Sequence, residues 1–216
     1  MKCMHCDSPV SDTARFCENC GSLLRGHDLI NGLAGAYRQE LSGELEAAVA
    51  SYEDLLARDE GEPDSAVVRK HLGNLHFRLG HLRRAREHLV RATELDENNA
   101  TVWHDLGVVD YHMAELDRAV EAFRPALYLD PTLRLANFWL GNALYHRGNY
   151  GQAVEAFTNL IEHYPNFTIA RFHLGVIHAR QGKKEEAEEE FRRVLLRNPA
   201  DVVARFYVSG GARVKI

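Results

Sequence analysis

The chain has little cysteine, little proline and no long apolar run. All four cysteines lie within the first 20 of its 216 residues, so no thiol is available elsewhere to form a disulfide or bind a metal. No stretch approaches the roughly 18 consecutive apolar residues that a transmembrane helix needs. The start, Met-Lys-Cys-Met-His-Cys, has no apolar segment typical of a signal peptide. We therefore expect a cytoplasmic protein with reduced thiols and no membrane insertion.

An excess of positive charge is also missing. The chain has 26 Lys and Arg against 31 Asp and Glu, which gives a net charge of -5. Nucleic acids and anionic lipid surfaces are bound through clustered Lys and Arg, so this composition argues against both as general partners. The hydrophobic fraction of 45% and the charged fraction of 26% are typical of a folded globular protein.

The cysteines form two Cys-x-x-Cys pairs, Cys3 with Cys6 and Cys17 with Cys20, separated by ten residues. Four thiolates at this spacing can surround one ion tetrahedrally, as in structural zinc sites. We predict one structural Zn²⁺ ion held by all four. A shell of four protein ligands leaves no position for a substrate, so we do not expect this zinc to catalyse a reaction. A redox dithiol would need a βαβ setting, which the sequence does not offer.

Residues 3–24 resemble the short bacterial zinc-ribbon family, in which two such pairs flank a polar turn and an aromatic residue precedes the second pair, as Phe16 does. The resemblance implies a small zinc module over 1–27. Three Lys or Arg balance three Asp or Glu there, and Phe16 is the only Phe, Tyr or Trp that could stack on a base. We interpret the module as structural or protein-docking. A zinc-ribbon-mediated, nucleic-acid-associated regulatory factor remains an alternative.

Beyond this module, a 34-residue period runs through the chain. A Leu-Gly pair, an alanine and a bulky apolar residue recur in each period, with the glycine, alanine and bulky residue at Gly73, Ala85 and Leu89; Gly107, Ala119 and Phe123; Gly141, Ala153 and Phe157; Gly175, Ala187 and Phe191. The glycine and alanine would let two helices of a hairpin approach closely, while the bulky residue fills the core. Pro131, Pro165 and Pro199 would end three of the hairpins.

This pattern resembles the tetratricopeptide repeat family. The resemblance implies an all-α solenoid of about five helical hairpins over 28–209, with units at about 29–65, 66–99, 100–133, 134–167 and 168–201, a cap helix at 202–209 and a tail at 210–216. The cap presents Phe206 and Tyr207, which leaves a homo-oligomer through the C-terminal end open. Pro125 lies within a second helix, where we predict a kink rather than a break.

The first helix of each unit is expected to line a concave groove, with its second, fifth, ninth, twelfth and thirteenth positions facing a ligand. The most informative side chains there are Lys70, Asn74, Phe77, Arg78, His104, Tyr111, His112, Phe138, Asn142, Tyr145, His146, Phe172 and Arg180. Aromatic and hydrogen-bonding groups with few acids suit an extended peptide or protein partner. We expect Phe138 and Tyr145 to be free apolar anchors, and Asn74 and Asn142 to bind the peptide backbone.

Together these features indicate a non-catalytic protein-interaction scaffold. The sequence contains no phosphate-binding glycine loop, nucleophile elbow or His-Glu-x-x-His motif, so no enzyme class is indicated. His104, His112 and His146 near the groove would make binding pH-sensitive. An assembly or chaperone factor for a multiprotein complex is the remaining alternative.

Overall fold

The computed structural model describes residues 8–9, 19, 27–58 and 64–210. Eleven α-helices follow one another in this part of the chain: α1 (His27–Ser42), α2 (Leu45–Arg58), α3 (Asp64–Arg78), α4 (Leu82–Leu95), α5 (Ala100–His112), α6 (Leu116–Leu129), α7 (Arg134–His146), α8 (Tyr150–His163), α9 (Thr168–Arg180), α10 (Lys184–Arg197) and α11 (Val202–Val208). None of these described helices is long and apolar enough to cross a membrane. The chain divides into two compact units, residues 1–97 and 98–216.

The first unit contains the hairpins α1–α2 and α3–α4. Tyr52 of α2 is fully buried and belongs to one core cluster with Leu72 and Leu75 of α3. The apolar face of α2 is therefore shared between the two hairpins, as the stacking of helical repeats requires. The divergent first repeat thus forms the same kind of hairpin as its successor, although Ala36 replaces the repeated glycine.

The second unit contains the hairpins α5–α6, α7–α8 and α9–α10, closed by α11. Its largest core cluster joins side chains from successive hairpins, among them Phe123 of α6, Phe157 of α8 and Ile177 of α9, all fully buried. The predicted all-α architecture, about five helical hairpins followed by a terminal helix, is confirmed.

The repeated glycines lie where the two helices of a hairpin cross. A Cβ atom added to Gly107 would lie 2.6 Å from the Phe123 ring, and one added to Gly141 would lie 2.7 Å from the Phe157 ring. Such distances are far below van der Waals contact, so the absence of a side chain is what allows each ring to occupy the crossing. The close approach predicted for these glycines is confirmed.

The turns between paired helices need a residue with positive φ. Gly80, Gly148 and Gly182 adopt φ values of +77°, +84° and +75° at three of these turns. Ala114 occupies the corresponding turn of the α5–α6 hairpin with φ of +62°. Positive φ is sterically unfavourable for alanine but not for glycine, so the turn at Ala114 is strained.

Helix α6 continues through Pro125 without interruption. Proline has no backbone N–H, so one hydrogen bond of the helix is missing there. The neighbouring side chains of Phe123 and Ala126 are fully buried, and their packing holds the helix together across the gap. The prediction that Pro125 does not break the helix is confirmed, and a kink stays a prediction.

Helix α11 covers the last hairpin through Tyr207, whose ring stacks on that of Phe191 at 4.5 Å between centroids and 12° between planes. Tyr207 therefore packs inward, which corrects the expectation that it forms part of an apolar outer face. Val202, Val203 and Phe206 are 67%, 44% and 48% exposed on the same helix. Self-association through this end stays a prediction that rests on these three side chains.

Candidate functional site

The candidate residues of the first unit lie on α3. Lys70, Asn74 and Phe77 are half-buried and Arg78 is exposed. Nη1 of Arg78 lies 3.8 Å from Oε1 of Glu40, whose side chain is 15% exposed. The charge of Arg78 is therefore partly offset within its own unit.

Four rings meet between α5 and α7 in the second unit. The ring centroid of Trp139 lies 5.1 Å from that of Tyr111 and 5.6 Å from that of His112. The centroids of Tyr111 and His146 lie 6.0 Å apart. The ring planes are inclined to one another, as the aromatic quadrupole favours. His112 and His146 are exposed, while Tyr111 and Trp139 are half-buried, so the cluster reaches the surface.

A second group of rings surrounds Tyr145, between α7 and α9. The centroids of Tyr150 and His173 lie 5.8 and 6.4 Å from that of Tyr145. The guanidinium carbon of Arg180 lies 5.1 Å from the centre of the Tyr145 ring, within cation–π range, and Nη1 of Arg180 donates to the Tyr150 hydroxyl at 3.5 Å.

Tyr145 and His146 connect the two groups, with ring centroids 5.1 Å apart. The result is one connected surface of rings along α5, α7 and the start of α8, with a single arginine at its α9 end. We call this surface the aromatic wall, and it consists of Tyr111, His112, Trp139, Tyr145, His146, Tyr150 and Arg180.

Phe138 is not the free anchor that the sequence predicts. Its ring centroid lies 5.6 Å from Phe167, 5.7 Å from His173 and 6.3 Å from Phe157. Because three rings from α8, α9 and the connection between them surround it, Phe138 supports the wall instead of offering a face to a ligand. The expectation that Tyr145 lies free is also corrected, since Arg180 covers its ring.

The prediction that Asn142 binds a peptide backbone is also wrong. It is 4% exposed, and its amide nitrogen donates to the carbonyl oxygen of Phe138, one turn earlier, at 2.9 Å. An amide engaged within its own helix is not offered to a peptide backbone. His104 is half-buried with Nδ1 3.0 Å from Oδ1 of Asp105, and Phe172 packs against the core beneath α11.

Burial shapes the ionisation of two rings near the wall. It raises the pKa of Tyr111 above its ordinary value, so the hydroxyl stays protonated over a wider pH range. Burial, reinforced by the charge of His146, lowers the pKa of His173, which keeps that imidazole neutral beneath the surface. The hydrogen bond to Tyr150, followed by the neighbouring Tyr145, raises the pKa of Arg180. Because a guanidinium stays protonated in proteins, Arg180 is the permanent cation of the wall.

Trp139 and His173 are not among the ligand-facing residues predicted from the sequence. Both occupy the sixth position of their repeats. His71 and Tyr207 occupy the same position. In three repeats the ring at this position stacks on the bulky core ring of the repeat before it: His71 on Tyr52 at 5.1 Å, His173 on Phe157 at 5.2 Å and Tyr207 on Phe191 at 4.5 Å. The recurrence of rings at one position was the signal that could have identified them.

The predicted zinc ligands Cys3, Cys6, Cys17 and Cys20 lie outside the described residues. Within the described ranges, no group of three or more His, Cys, Asp or Glu side chains is arranged to hold a metal ion. A set of four thiolates matches the donor preference of structural zinc, so the ligand assignment stays a prediction that rests on the donor set.

Two family models match the chain. The model described as tetratricopeptide repeat matches residues 33–99, 70–134, 111–157 and 138–202. The model described as zinc-ribbon domain matches residues 2–24. No curated protein matches the chain.

Many solved structures share the fold. A MamA structure has a TM-score of 0.72 at 24% identity, over 76% of this chain and 94% of that one. YrrB, described as a TPR protein with an unusual peptide-binding site, has a TM-score of 0.74 at 23% identity, over 83% and 91% of the two chains. A tetratricopeptide repeat protein from Parabacteroides merdae has a TM-score of 0.77 at 19% identity, over 86% and 75%. At these identities the likeness concerns the fold alone.

Proposed function

Because the chain belongs to the tetratricopeptide repeat family, we propose that it is a non-catalytic scaffold whose aromatic wall binds an extended segment of a partner protein. The observation that carries this proposal is the connected surface of rings that joins Tyr111 and Trp139 to Tyr145 and Arg180. Half-buried aromatic rings with polar tips are the side chains that most often dominate the energetics of protein interfaces.

The composition of the wall favours a peptide over a small polar metabolite. Its tyrosine, tryptophan and histidine rings offer flat apolar faces for side chains, while their hydroxyl and ring N–H groups can pair with peptide carbonyls. YrrB has the same fold and is described as having a peptide-binding site, which supports peptide binding as an activity that this fold can carry.

We propose in addition that Cys3, Cys6, Cys17 and Cys20 hold one structural zinc ion. The metal would supply folding free energy to a segment with few core residues, on the order of 10 kcal/mol or more in zinc-finger peptides. The cytoplasmic location and the division into a zinc module over 1–27 and a repeat array over 28–209 are part of the same proposal.

The proposal is tested by selecting ligands from a phage-displayed library of random decapeptides with the full chain as bait. Tryptophan fluorescence reports on the wall directly, because Trp139 is one of two tryptophans and the other can be replaced in a Trp103→Phe variant. We expect selected peptides, made synthetically, to change the Trp139 signal on binding. We expect Tyr145→Ala to weaken that binding at least tenfold, the loss typical of an interface hot spot, because it removes both a ring that joins the two halves of the wall and the ring that supports Arg180.

Tyr128→Ala is the matched control, because this tyrosine lies on α6 and is 87% exposed. It should leave peptide affinity unchanged. Circular dichroism checks that each variant keeps its helices. Peptides that bind the chain without changing the Trp139 signal, and that bind Tyr145→Ala as tightly as the wild type, would place the ligand elsewhere and overturn the proposal.

A further inference from the structure

Arg180 is an exposed cation held in place by neutral groups. Its guanidinium lies over the Tyr145 ring and donates to the Tyr150 hydroxyl. In the part of the chain that the structure describes, no carboxylate pairs with it. The two tyrosines fix the direction of the side chain while leaving its charge uncompensated by an anion.

Other arginines of the second unit show the usual alternative. Nη2 of Arg147 lies 2.7 Å from Oδ1 of Asp117, and Nη1 of Arg171 lies 3.2 Å from Oε2 of Glu190. Arg147 and Arg171 thus pair with carboxylates, whereas the guanidinium carbon of Arg134 lies over the Tyr164 and Phe167 rings, 5.4 and 5.7 Å from their centroids. Arg180 differs from Arg147 and Arg171 because the side chains that hold it are the tyrosines Tyr145 and Tyr150.

The predicted ligand-facing positions of α5, α7 and α9 contain no Asp or Glu. They hold Thr101, His104, Val108, Tyr111, His112, Leu135, Phe138, Asn142, Tyr145, His146, Ile169, Phe172, Val176, Ala179 and Arg180. A ligand cation would therefore meet no anion at these positions and would be repelled by Arg180, whereas a ligand carboxylate would meet a positioned guanidinium. Asp105, at the position on α5 that corresponds to Trp139, pairs with His104 at 3.0 Å. Charge complementarity therefore favours an acidic ligand over a basic one.

We propose that the segment bound by the aromatic wall is acidic, with an Asp or Glu that pairs with Arg180 and a proline or aromatic residue that packs on Tyr111 and Trp139. This inference rests on the proposed function and names the ligand class. Proline and aromatic side chains fit because they can lie flat against inclined aromatic rings.

The spacing of the two ligand residues follows from the helices that carry the wall. Tyr111 and Trp139 meet between α5 and α7, whereas Arg180 lies on α9, one wall helix further along. Packed helix axes lie about 8–10 Å apart, and an extended chain advances about 3.3 Å per residue. The acidic residue should therefore lie about three residues from the proline or aromatic residue.

The test uses the decapeptides selected on the full chain, together with synthetic versions in which the acidic residue is replaced by its amide or by lysine. Asp or Glu should be enriched about three residues from a proline or aromatic residue. Replacing the acid by its amide should weaken binding about tenfold, a loss within the range of a charge-assisted hydrogen bond. Arg180→Gln should cause a similar loss and make the amide and acid peptides equivalent.

A charge exchange completes the test. Arg180→Glu should bind the lysine peptide more tightly than the acidic one, which a merely structural role of Arg180 would not produce. Arg192→Gln is the control, because Arg192 is an exposed arginine on α10 that pairs with Glu188. It should change no affinity.

The outcomes separate the two proposals. Peptides that change the Trp139 signal but carry neutral or basic residues, and bind Arg180→Gln as tightly as the wild type, would overturn the acidic ligand and leave the binding site standing. Failure of every selected peptide to engage Trp139 would overturn both.

Discussion

Single residues set the local strain and the acid sensitivity of this protein. Ala114 has a positive φ, as do the glycines at the other turns, and this backbone conformation, rather than its contacts, destabilises the turn. Two histidines of the first unit, the buried His76 and the half-buried His88, make the protein sensitive to acid, since burial disfavours the charge that their protonation would create.

Ala114→Gly should stabilise the second unit. Glycine removes the left-handed strain but also raises the entropy of the unfolded chain, so the net gain in the free energy of unfolding should be about 0.5–1 kcal/mol. Urea unfolding followed by circular dichroism measures it. The reverse change, Gly148→Ala, is the control, because a Cβ there meets no atom within 4 Å and only backbone strain is altered. A lower urea midpoint for Ala114→Gly would contradict the assignment of strain.

His76 and His88 form a stacked pair in the first unit, with ring centroids 5.4 Å apart. His76 is 2% exposed, and neither of its ring nitrogens has a hydrogen-bond partner in the described structure. Burial, followed by the charge of Arg84, lowers the pKa of His76. Burial, followed by the charges of His76, Arg69 and Arg84, lowers the pKa of His88 to about 4.

Acid should therefore destabilise the folded chain. As the pH falls through about 6.5, the unfolded chain binds protons that folded His88 does not accept until pH about 4, so stability is lost across this window. His88 alone should lower the free energy of unfolding by about 2 kcal/mol between pH 7.5 and pH 5. Urea unfolding of the wild type and of His76→Leu with His88→Leu measures the effect. An equal loss in both proteins would show that other groups are responsible.

The packing of paired helices depends on a contact between a glycine of the first helix and an aromatic ring of the second. In the α7–α8 hairpin, Gly141 faces the fully buried ring of Phe157. The α9–α10 hairpin repeats the arrangement with Gly175 and Phe191, where an added Cβ would lie 2.9 Å from the ring. The hairpin geometry is thus determined by a small residue on the first helix and a large one on the second.

Gly141→Ala should destabilise the chain although alanine is the better helix former. Overpacking a well-filled crossing costs about 1–3 kcal/mol, against about 1 kcal/mol gained in helix propensity. We expect thermal unfolding to occur at a lower temperature than in the wild type. Gly151→Ala provides the comparison, since its Cβ would enter open space on α8. Equal effects of Gly141→Ala and Gly151→Ala would exclude the crossing as the cause.

At the scale of the whole molecule, we expect zinc binding by the four cysteines and peptide binding by the repeats to be independent. Replacing all four cysteines by serine should remove one bound zinc ion per chain, measured by elemental analysis, because serine does not supply the thiolates that structural zinc prefers. The affinity of a selected peptide, read from Trp139 fluorescence, should stay unchanged. A tenfold loss of peptide affinity in this variant would show that the zinc module takes part in recognition.

The fold was largely predictable, because each hairpin repeats the same local packing requirement. Gly107 with Phe123 and Gly141 with Phe157 follow the 34-residue period, and stacked repeats contact mainly their neighbours along the chain. The surface of the site was less predictable. The repeat phase predicts that His112, His146, Arg180 and Asn142 all face a ligand; the first three are exposed, whereas Asn142 is buried.

The sequence by itself determined the helical hairpins, their turns and the type of residue at each crossing. Only the tertiary structure decided which of two adjacent rings joins the wall: Phe138 packs among three rings, whereas Trp139 meets Tyr111 at the surface. The physical reason is that a ring on one helix is covered or exposed by side chains of the next repeat, such as His173. Position within a single helix cannot specify that neighbour, since it lies about 34 residues further along the chain.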